Sequence, residues 1–502
     1  MAACSVGPDY LREAAPVSTN FKELKGWKRA TPSDGLDRGN WWAPYKDRRL
    51  DQLLRQVEVS NQTVAAQAAA YEDARAVIRE AQAQLFPVAT AGYSVTRTRT
   101  GPLAGSGSIT TARRTGATYT TTYTAPLNGT WDVDVWGKVR RQIESDTAAA
   151  QASAADLANA KLSAQAQLAT AYFDMRTADS LIDLLTRTVA LDKRTLNIVQ
   201  NQFKAGYAVT NADVATATAQ LLTAQGQLAA AHVTRAQFEH AIAMLTGRPP
   251  AELTVASGLL PGNIPKIPVT VPSALLERRP DIAAAERTMQ QQNALIGVAE
   301  AAYFPDISLS AIMEFIGPIP LPFSAARSIS SLSANATQTL FNGGLTAAQV
   351  DAARAVYWQS VATYRQTVLT ALQQVEDQLA AIHYYSQQLN LQQRAVSEQR
   401  QAVEVYLNQF QQGLVAFTTV VTAELTLLAD QQAELTTRQN LFLASVSLIE
   451  ALGGGWDTTL LPTQRQLQED FSLLPQLEPT SPPVEAVPPG ATLLPAPPPR
   501  PQ

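Results

Sequence analysis

The sequence predicts an internally duplicated membrane protein whose chain contributes four amphipathic β-strands to a membrane β-barrel and long helices to an α-helical coiled-coil tunnel. Three observations support this fold class. The two halves of the chain repeat one another, one helical stretch is too long for a compact domain, and the short segments between helices alternate apolar and hydroxyl side chains.

The duplication is visible as two matches between the halves. Residues 81–96 are echoed by 299–314 at an offset of 218, and residues 201–214 by 408–421 at an offset of 207. The offset falls by 11 between the strands of each half, where the first half carries the longer loop. Each half therefore has the order helix, strand, loop, strand, very long helix, glycine turn and long helix.

The helical stretches have clear limits in the sequence. A helix is predicted from Asp47 to Gln84 because Pro87 prevents its continuation. Residues 147–203 contain no Pro or Gly, and 57 helical residues would span roughly 85 Å. Small residues recur along this stretch at helical spacing and favour close coiled-coil packing. A soluble coiled-coil scaffold would explain the helices equally well.

The segments between the helices alternate with a period of two residues, which is typical of strands with one apolar face. The apolar positions are Ile307, Leu309, Ala311, Met313 and Phe315 in one strand, Leu332, Ala334, Ala336 and Leu340 in the next, and Tyr119, Tyr123, Ala125 and Leu127 in the first half, where 88–100 alternates more weakly. No apolar run reaches the roughly 18–20 residues of a membrane-spanning helix. A half-buried soluble sheet shows the same alternation.

Four strands are too few to close a barrel. The smallest membrane barrels need about eight strands, and an open edge in hydrocarbon leaves backbone groups without hydrogen bonds. We therefore expect several chains to contribute to one barrel, with their helices forming a hollow cylinder below it.

Composition excludes several other classes of protein. Net charge is −4, charged residues make up 16%, and no Lys/Arg cluster occurs with stacking aromatics, which argues against nucleic acid as a partner. One cysteine and the histidines His232, His240 and His383 are too few for a structural metal site or cluster. Because no P-loop, nucleophile elbow or Ser/His/Asp constellation occurs, an enzyme is not expected and no cofactor is predicted.

The two ends of the chain have distinct compositions. The start, MAACSVGPDY, places small residues before Cys4, as in a bacterial lipoprotein signal whose thiol receives a covalent lipid. The alternative is an ordinary thiol in a frayed terminus. Residues 474–502 are Pro-rich and are predicted to be largely disordered or polyproline-like.

Five short sequences, in this order, resemble the outer-membrane factor family of TolC-like channels, and within it the NodT-type lipoproteins. They are CSVGPDY, NWWAPYKDRRLDQLL, WDVDVWGKVRR, TLFNGGL and EALGGGW. The resemblance covers nearly all of the chain from Cys4 to Trp456. It implies a homotrimer with a 12-stranded barrel and a 12-helix tunnel, anchored by lipid in the outer membrane of a Gram-negative bacterium with its helices in the periplasm.

The resemblance also implies the partners and the division of the chain. The expected partners are a periplasmic adaptor and an inner-membrane transporter of the resistance-nodulation-division (RND) type, so that the chain would be the passive exit channel of a tripartite efflux pump. The predicted parts are a lipidated extended segment (1–46), tunnel repeat 1 (47–87 and 131–250), hairpin 1 (88–130), tunnel repeat 2 (251–305 and 341–456), hairpin 2 (306–340) and a C-terminal segment (457–502).

Site residues are assigned partly from turn chemistry and partly from the resemblance. Gly206 and Gly413 end long helices that reverse direction, which a left-handed glycine permits. By resemblance the adaptor docks at these periplasmic tips, and the docking candidates are Phe203, Gly206, Asp213, Phe410 and Gly413. These glycines would serve the turns in any case.

The narrow entrance of the tunnel is expected close to the second tip. Related channels often place carboxylates there, whereas this chain has Thr419 and Thr422 at those positions. Asp213 or Glu424 could supply an acidic ring instead. A threonine-lined constriction predicts a weaker cation preference than an aspartate ring, and opening is expected to be an iris-like untwisting of helices.

Two other functions remain open at this point. A type I secretion duct would share the fold and pass proteins instead of small molecules. A non-transporting coiled-coil lipoprotein of the envelope would explain the helices but leave the alternating strands without a role.

Overall fold

The computed structural model describes residues 5–18, 20–23, 40–101, 117–207, 209–262, 264–265, 278–469 and 471. Cys4 and the Pro-rich tail from 474 to 502, for which the sequence predicts lipidation and disorder, lie outside the described residues.

Long helices and one antiparallel sheet make up the described chain. The helices are α1 (Arg48–Ser60), α2 (Gln62–Ala83), α3 (Lys138–Lys204), α4 (Asn211–Leu245), α5 (Pro280–Ala301), α6 (Leu345–Gln411), α7 (Phe417–Ala451) and α8 (Gln464–Gln468). The strands are β1 (Val88–Ala91), β2 (Ser94–Thr100), β3 (Thr118–Asp132), β4 (Asp306–Gly317) and β5 (Ser328–Thr337). Among the described helices, no stretch is both long and apolar enough to cross a bilayer.

The duplication read from the sequence is present in the helix lengths. Helices α2 and α5 each have 22 residues, α3 and α6 each have 67, and α4 and α7 each have 35. A helix of 67 residues is roughly 100 Å long. In each repeat the shorter helices pack against the long one, α2 and α4 on α3, and α5 and α7 on α6.

One predicted helix is in fact two. The expected helix from Asp47 to Gln84 is interrupted at Asn61, which is extended and caps the start of α2. Its Oδ1 accepts hydrogen bonds from the backbone N–H groups of Thr63 (2.9 Å) and Val64 (3.1 Å), and its Nδ2 donates to the carbonyl of Leu245 (2.8 Å). An asparagine that can satisfy the backbone locally competes with helix continuation, and the long-range bond to Leu245 fixes the break.

The sheet joins the two hairpins side by side. Strand β3 pairs with β1 and β2 on one side and with β4 on the other, and β4 pairs with β5. The single strand predicted over 88–100 is broken at Gly92 and Tyr93, opposite Pro126 of β3. Pro126 has no N–H to continue the ladder, and its carbonyl accepts instead from the Gly92 N–H (2.9 Å).

The last strand is shorter than the sequence indicated. We expected the alternation to continue to Leu340, but β5 ends at Thr337, which pairs with the first residue of β4, Asp306. Pro305 precedes Asp306 and cannot donate to a longer ladder. Leu340 and Phe341 therefore lie beyond the sheet, 92% and 90% exposed.

The register places apolar side chains from all the strands on one face. This face, here called the apolar face, carries Val95, Tyr123, Leu127, Trp131, Leu309, Met313, Phe315 and Leu332, and the opposite hydroxyl face carries Thr96, Thr120, Thr122, Thr124, Asn128, Ser310, Ser331 and Ser333. The exceptions are Val88, Ile312, Ile316 and Ile329 on the hydroxyl face, and Arg97 and Arg99 of β2 on the apolar face. The predicted alternation is confirmed, and the apolar face is left exposed in the single chain, with Leu332 84% exposed.

The main core lies around the middle of α3. Tyr172 and Phe173 are almost fully buried there, and Phe173 stacks at 4.8 Å on Phe442 of α7 and at 5.1 Å on Tyr45. The Tyr172 hydroxyl donates to Asp47, which also caps α1. This core holds α1 and both repeats together at the level between the sheet and the distant helix ends.

Candidate functional site

The two helical tips have the same backbone. After α3, Gly206 (φ +76°) donates to the Phe203 carbonyl (3.2 Å) and the next residue donates to the Gln202 carbonyl (3.1 Å). After α6, Gly413 (φ +73°) donates to Phe410 (2.9 Å) and the next residue to Gln409 (2.9 Å). Both turns are Schellman motifs, which need a left-handed residue and satisfy the last helix carbonyls.

An apolar cluster ties the two tips together. Phe410 and Phe417 lie with ring centroids 5.4 Å apart, and both are buried with Val199 of α3, Ala217 of α4 and Val420 of α7. This set is called the tip cluster below. Of the predicted docking residues, Phe410 is therefore a packing residue, whereas Phe203 is 45% exposed.

Asp213 has a structural partner. Its carboxylate accepts from the backbone N–H and the hydroxyl of Thr210, both at 2.8 Å, and the Thr210 hydroxyl accepts from the Asp213 N–H in return. This capping box starts α4. A carboxylate occupied by a helix cap has fewer acceptor positions left for an adaptor or a cation.

The three entrance candidates occupy different environments. Thr422 is exposed and its hydroxyl donates to the Thr418 carbonyl (2.8 Å), while Thr419 is half-buried. Glu424 is only 6% exposed and lies between helices of its own chain. In the single chain, the accessible members of the set are thus the threonines.

Glu424 belongs to a buried polar cluster that sequence reasoning missed. The Nε2 of Gln220 (α4) donates to Asp192 Oδ1 (α3) and to Glu424 Oε2 (α7), both at 3.1 Å. The Thr195 hydroxyl donates to the other Glu424 oxygen (3.3 Å). We call these four residues the carboxyl cluster. No sequence motif marks it, because its members are single polar residues on three different helices.

The carboxyl cluster holds two acids away from water. Burial raises the pKa of Glu424 to about 7, and the nearby Asp192 carboxyl adds to the shift. Burial likewise raises the pKa of Asp192 to about 6. Desolvation without a compensating cation disfavours the charged form, so the pair titrates in the neutral range.

At the opposite end, the N-terminal segment lies against the corner between sheet and helices. The Val6 N–H donates to the Trp136 carbonyl (3.1 Å), and a Cβ added to Gly137 would lie 3.0 Å from Ser5. Arg141 holds the segment through the carbonyl of Val6 (3.0 Å) and the carboxylate of Asp9 (2.9 Å). The segment therefore starts where β3 ends and α3 begins.

An apolar-faced sheet followed by helices about 100 Å long that turn back as hairpins defines an envelope channel protein with a helical extension. The solved structure of the outer-membrane channel OprN has this fold: it is 28% identical, with a TM-score of 0.79, and the match covers 90% of this chain and 100% of that chain.

The sequence model for the outer membrane efflux protein family matches residues 53–248 and 271–454. The chain belongs to this family, whose members are channels and not enzymes. It is 27% identical over 461 residues to the antibiotic efflux pump outer membrane protein ArpC of Pseudomonas putida, covering 91% of this chain and 93% of that protein. It is 26% identical over 460 residues to the cation efflux system protein CusC of Escherichia coli, covering 91% and 96%.

Proposed function

We propose that this chain is the passive outer-membrane exit channel of a tripartite efflux pump of a Gram-negative bacterium. The observation that carries the proposal is the sheet, in which the strands turn most of their apolar side chains to one face and most of their hydroxyl side chains to the other. In a membrane barrel the apolar face meets lipid and the polar face lines a water-filled lumen. A scaffold protein would have no need of this separation.

The assembly is a homotrimer in this proposal. In the described chain the sheet ends at β5 on one side and at β1 and β2 on the other, so the outer backbone groups of these strands have no neighbouring strand to pair with. Unpaired edges are not tolerated in hydrocarbon. Because β1 and β2 follow one another along β3 and act as one interrupted strand, each chain supplies four strands, and three chains that join edge to edge would give a 12-stranded barrel, with their helical hairpins closing the tunnel below it.

The anchor is a lipid on Cys4. Ser5 and Val6 lie at the corner between β3 and α3, the level at which the apolar strands give way to the helices. A lipid on the residue before Ser5 would start at the surface of the membrane that the sheet enters. Two membrane attachments, acyl chain and barrel, hold more firmly than either one.

The periplasmic tips dock an adaptor that connects the channel to an inner-membrane transporter of the RND type. The tip turns expose Phe203 and Tyr207 of the first repeat and Leu414 of the second. Apolar residues clustered at the far end of the helices are typical of a protein-binding surface. The tip cluster beneath them supports these residues.

The exported compounds are small molecules selected by the transporter. Two relatives of nearly equal similarity are named for different cargo, antibiotics for ArpC and cations for CusC. A lumen lined mainly by threonine, serine and asparagine, with Asp306 and Glu314 on the same face, offers hydrogen bonds to many different solutes. Loss of this chain should therefore sensitise its host to the compounds that the partner transporter handles.

Planar-bilayer recording of the purified, detergent-extracted protein tests the proposal. We expect a trimer on native mass spectrometry and discrete conductance steps. The matched control is a variant that lacks the sheet residues 88–130 and 306–340, which should give no steps. A soluble wild-type monomer without conductance would refute the channel and favour the envelope scaffold.

A further inference from the structure

We propose that Asp192 and Glu424 form a proton-dependent latch between the two helical hairpins: with a proton bound to the pair, α7 stays packed on α3 and α4, and loss of that proton releases α7 and favours opening of the tip. The proposal rests on the channel function proposed above, whose closed resting entrance the latch would hold.

The geometry of the carboxyl cluster places it at the junction of the repeats. Asp192 and Gln220 belong to the first hairpin and Glu424 to the second, and one amide nitrogen is shared between two carboxyl groups. A single amide can bridge the hairpins only while the three helices stay together. Moving α7 outward breaks the Gln220–Glu424 and Thr195–Glu424 bonds and exposes both acids to water.

Among the residues that the structure describes, neither buried acid has a positive partner. Asp192 is 3% exposed and Glu424 is 6% exposed. Within the described chain, Asp192 Oδ2 and Gln220 Oε1 are buried without hydrogen-bond partners. An unpartnered buried carboxylate oxygen is costly, and a proton on one of the two carboxyl groups would turn it into a hydrogen-bond donor within the cluster.

The charged groups on the surrounding helices do not offset these carboxyls. They are Lys193 and Arg194 on α3 and Arg394, Glu398 and Arg400 on α6, all exposed, together with Asp213 of α4 in its capping box and Asp430 farther along α7. Helix α6 meets the cluster through neutral Gln399, whose amide donates to the Ala423 carbonyl (3.2 Å). Among the groups described, Asp192 is the charged neighbour that acts on Glu424.

The direction of the pH effect follows from the pKa values. Glu424 has a pKa of about 7 when packed and an ordinary value of 4.5 when exposed. The pKa of Asp192 is raised in the same direction, from 3.8 to about 6, so the packed state binds at least one more proton than the open state between pH 4.5 and 7, and packing is favoured at low pH. As pH rises from about 5 to about 7, the ratio of open to packed tips should increase by at least about tenfold per pH unit and then level off.

Hydrogen exchange tests the latch without reference to transport. Amide exchange of residues 192–200 and 417–430 is measured in the full-length protein at pH 5.5 and pH 7.5, after correction for intrinsic exchange rates. We expect the wild type to lose at least about tenfold protection at pH 7.5. Asp192→Asn/Glu424→Gln keeps the shape of the side chains without a charge and should retain protection at both pH values, while Glu424→Gln leaves Asp192 to titrate and should lose less protection than the wild type.

Glu398→Gln is the matched control, because it removes one carboxyl from an exposed position on α6 and should behave as the wild type does. Equal protection of the wild type at both pH values would overturn the latch. An equal loss of amide protection at pH 7.5 in the wild type and in Asp192→Asn/Glu424→Gln would also overturn the latch.

Conductance supplies the functional readout. In planar bilayers the wild-type open probability should rise between pH 5.5 and pH 7.5, while Asp192→Asn/Glu424→Gln should keep the low value throughout. Conductance that is the same at both pH values in the wild type contradicts the latch alone. Absence of conductance in every protein would contradict the channel, and hydrogen exchange would then still decide for or against the latch.

Discussion

The two helical tips share one backbone conformation and differ in the chemistry that holds the next helix. In the first repeat, α4 starts at a capping box made by Thr210 and Asp213. In the second, α7 starts at Ala416 without a side-chain cap, and its first residue, Phe417, is buried in the tip cluster. One tip is fixed by polar groups at the surface and the other by apolar packing between the repeats.

The two repeats share the turn at the tip and differ in the contacts that follow it. Both Schellman turns are retained because the reversal of a long helix needs them, whereas the contacts after the turn are specialised. The second tip packs inward against the first through Phe410 and Phe417. We infer that the second hairpin is the one whose movement breaks contacts within the chain.

The largest expected effect comes from removing the inward packing of the second tip. Phe417→Ala should lower the free energy of opening the tip by about 3–5 kcal/mol, because a buried ring is lost and a cavity remains. Hydrogen exchange of residues 417–430 measures this change. Asn211→Ala, at the exposed first position of α4, is the matched control and should have a much smaller effect; equal effects would contradict the contrast between the tips.

A smaller and equal effect is expected at the two turn glycines. Gly206→Ala and Gly413→Ala should each destabilise the tip by about 1–2 kcal/mol, since an L-residue is strained at positive φ. An added Cβ meets no atom within 4 Å at either site, so the strain is conformational in both. Unequal losses, by the same exchange measurement, would show that the two turns are not equivalent.

The smallest effects concern the caps and should have opposite signs. Thr210→Ala removes the hydroxyl of the capping box and should cost about 1 kcal/mol of helix stability. Ala416→Ser adds a capping hydroxyl to an exposed, extended position before α7 and should stabilise that helix by up to about 1 kcal/mol. Thermal melts of the purified protein before and after each change check the signs; two changes of the same sign would refute the roles assigned to Thr210 and Ala416.

Much of the fold followed from pattern and repetition. Helical stretches without Pro or Gly, strands with a period of two, and the offsets of 218 and 207 predicted the two long helices, the hairpins and the equal repeats. Breaks that depend on a contact far along the chain did not follow. Asn61 ends α1 through Leu245, and Pro126 interrupts the strand that it faces.

Less of the candidate site than of the fold could be predicted from the sequence. Gly206 and Gly413 were found because a helix reversal requires left-handed residues, and their positive φ values agree with this. The pairing of Asp192 with Glu424 depends on how α3, α4 and α7 pack side by side, which no local pattern encodes. The roles of the tip residues in docking and at the entrance stay predictions.

Cross-linking of the sheet edges between chains tests whether several chains share one barrel. Each variant has one cysteine at Ser333 of β5 and a second cysteine on the opposite edge of the sheet, at Thr90, Ser94 or Thr98. The variants are treated with a thiol cross-linker of about 8 Å. This linker is too short to join the two edges within one chain, because they are at least about 14 Å apart. A shared barrel predicts a covalent trimer for at least one pair of introduced cysteines, and no trimer for control variants with only one of the two introduced cysteines. Monomers throughout the series would contradict a barrel shared between chains.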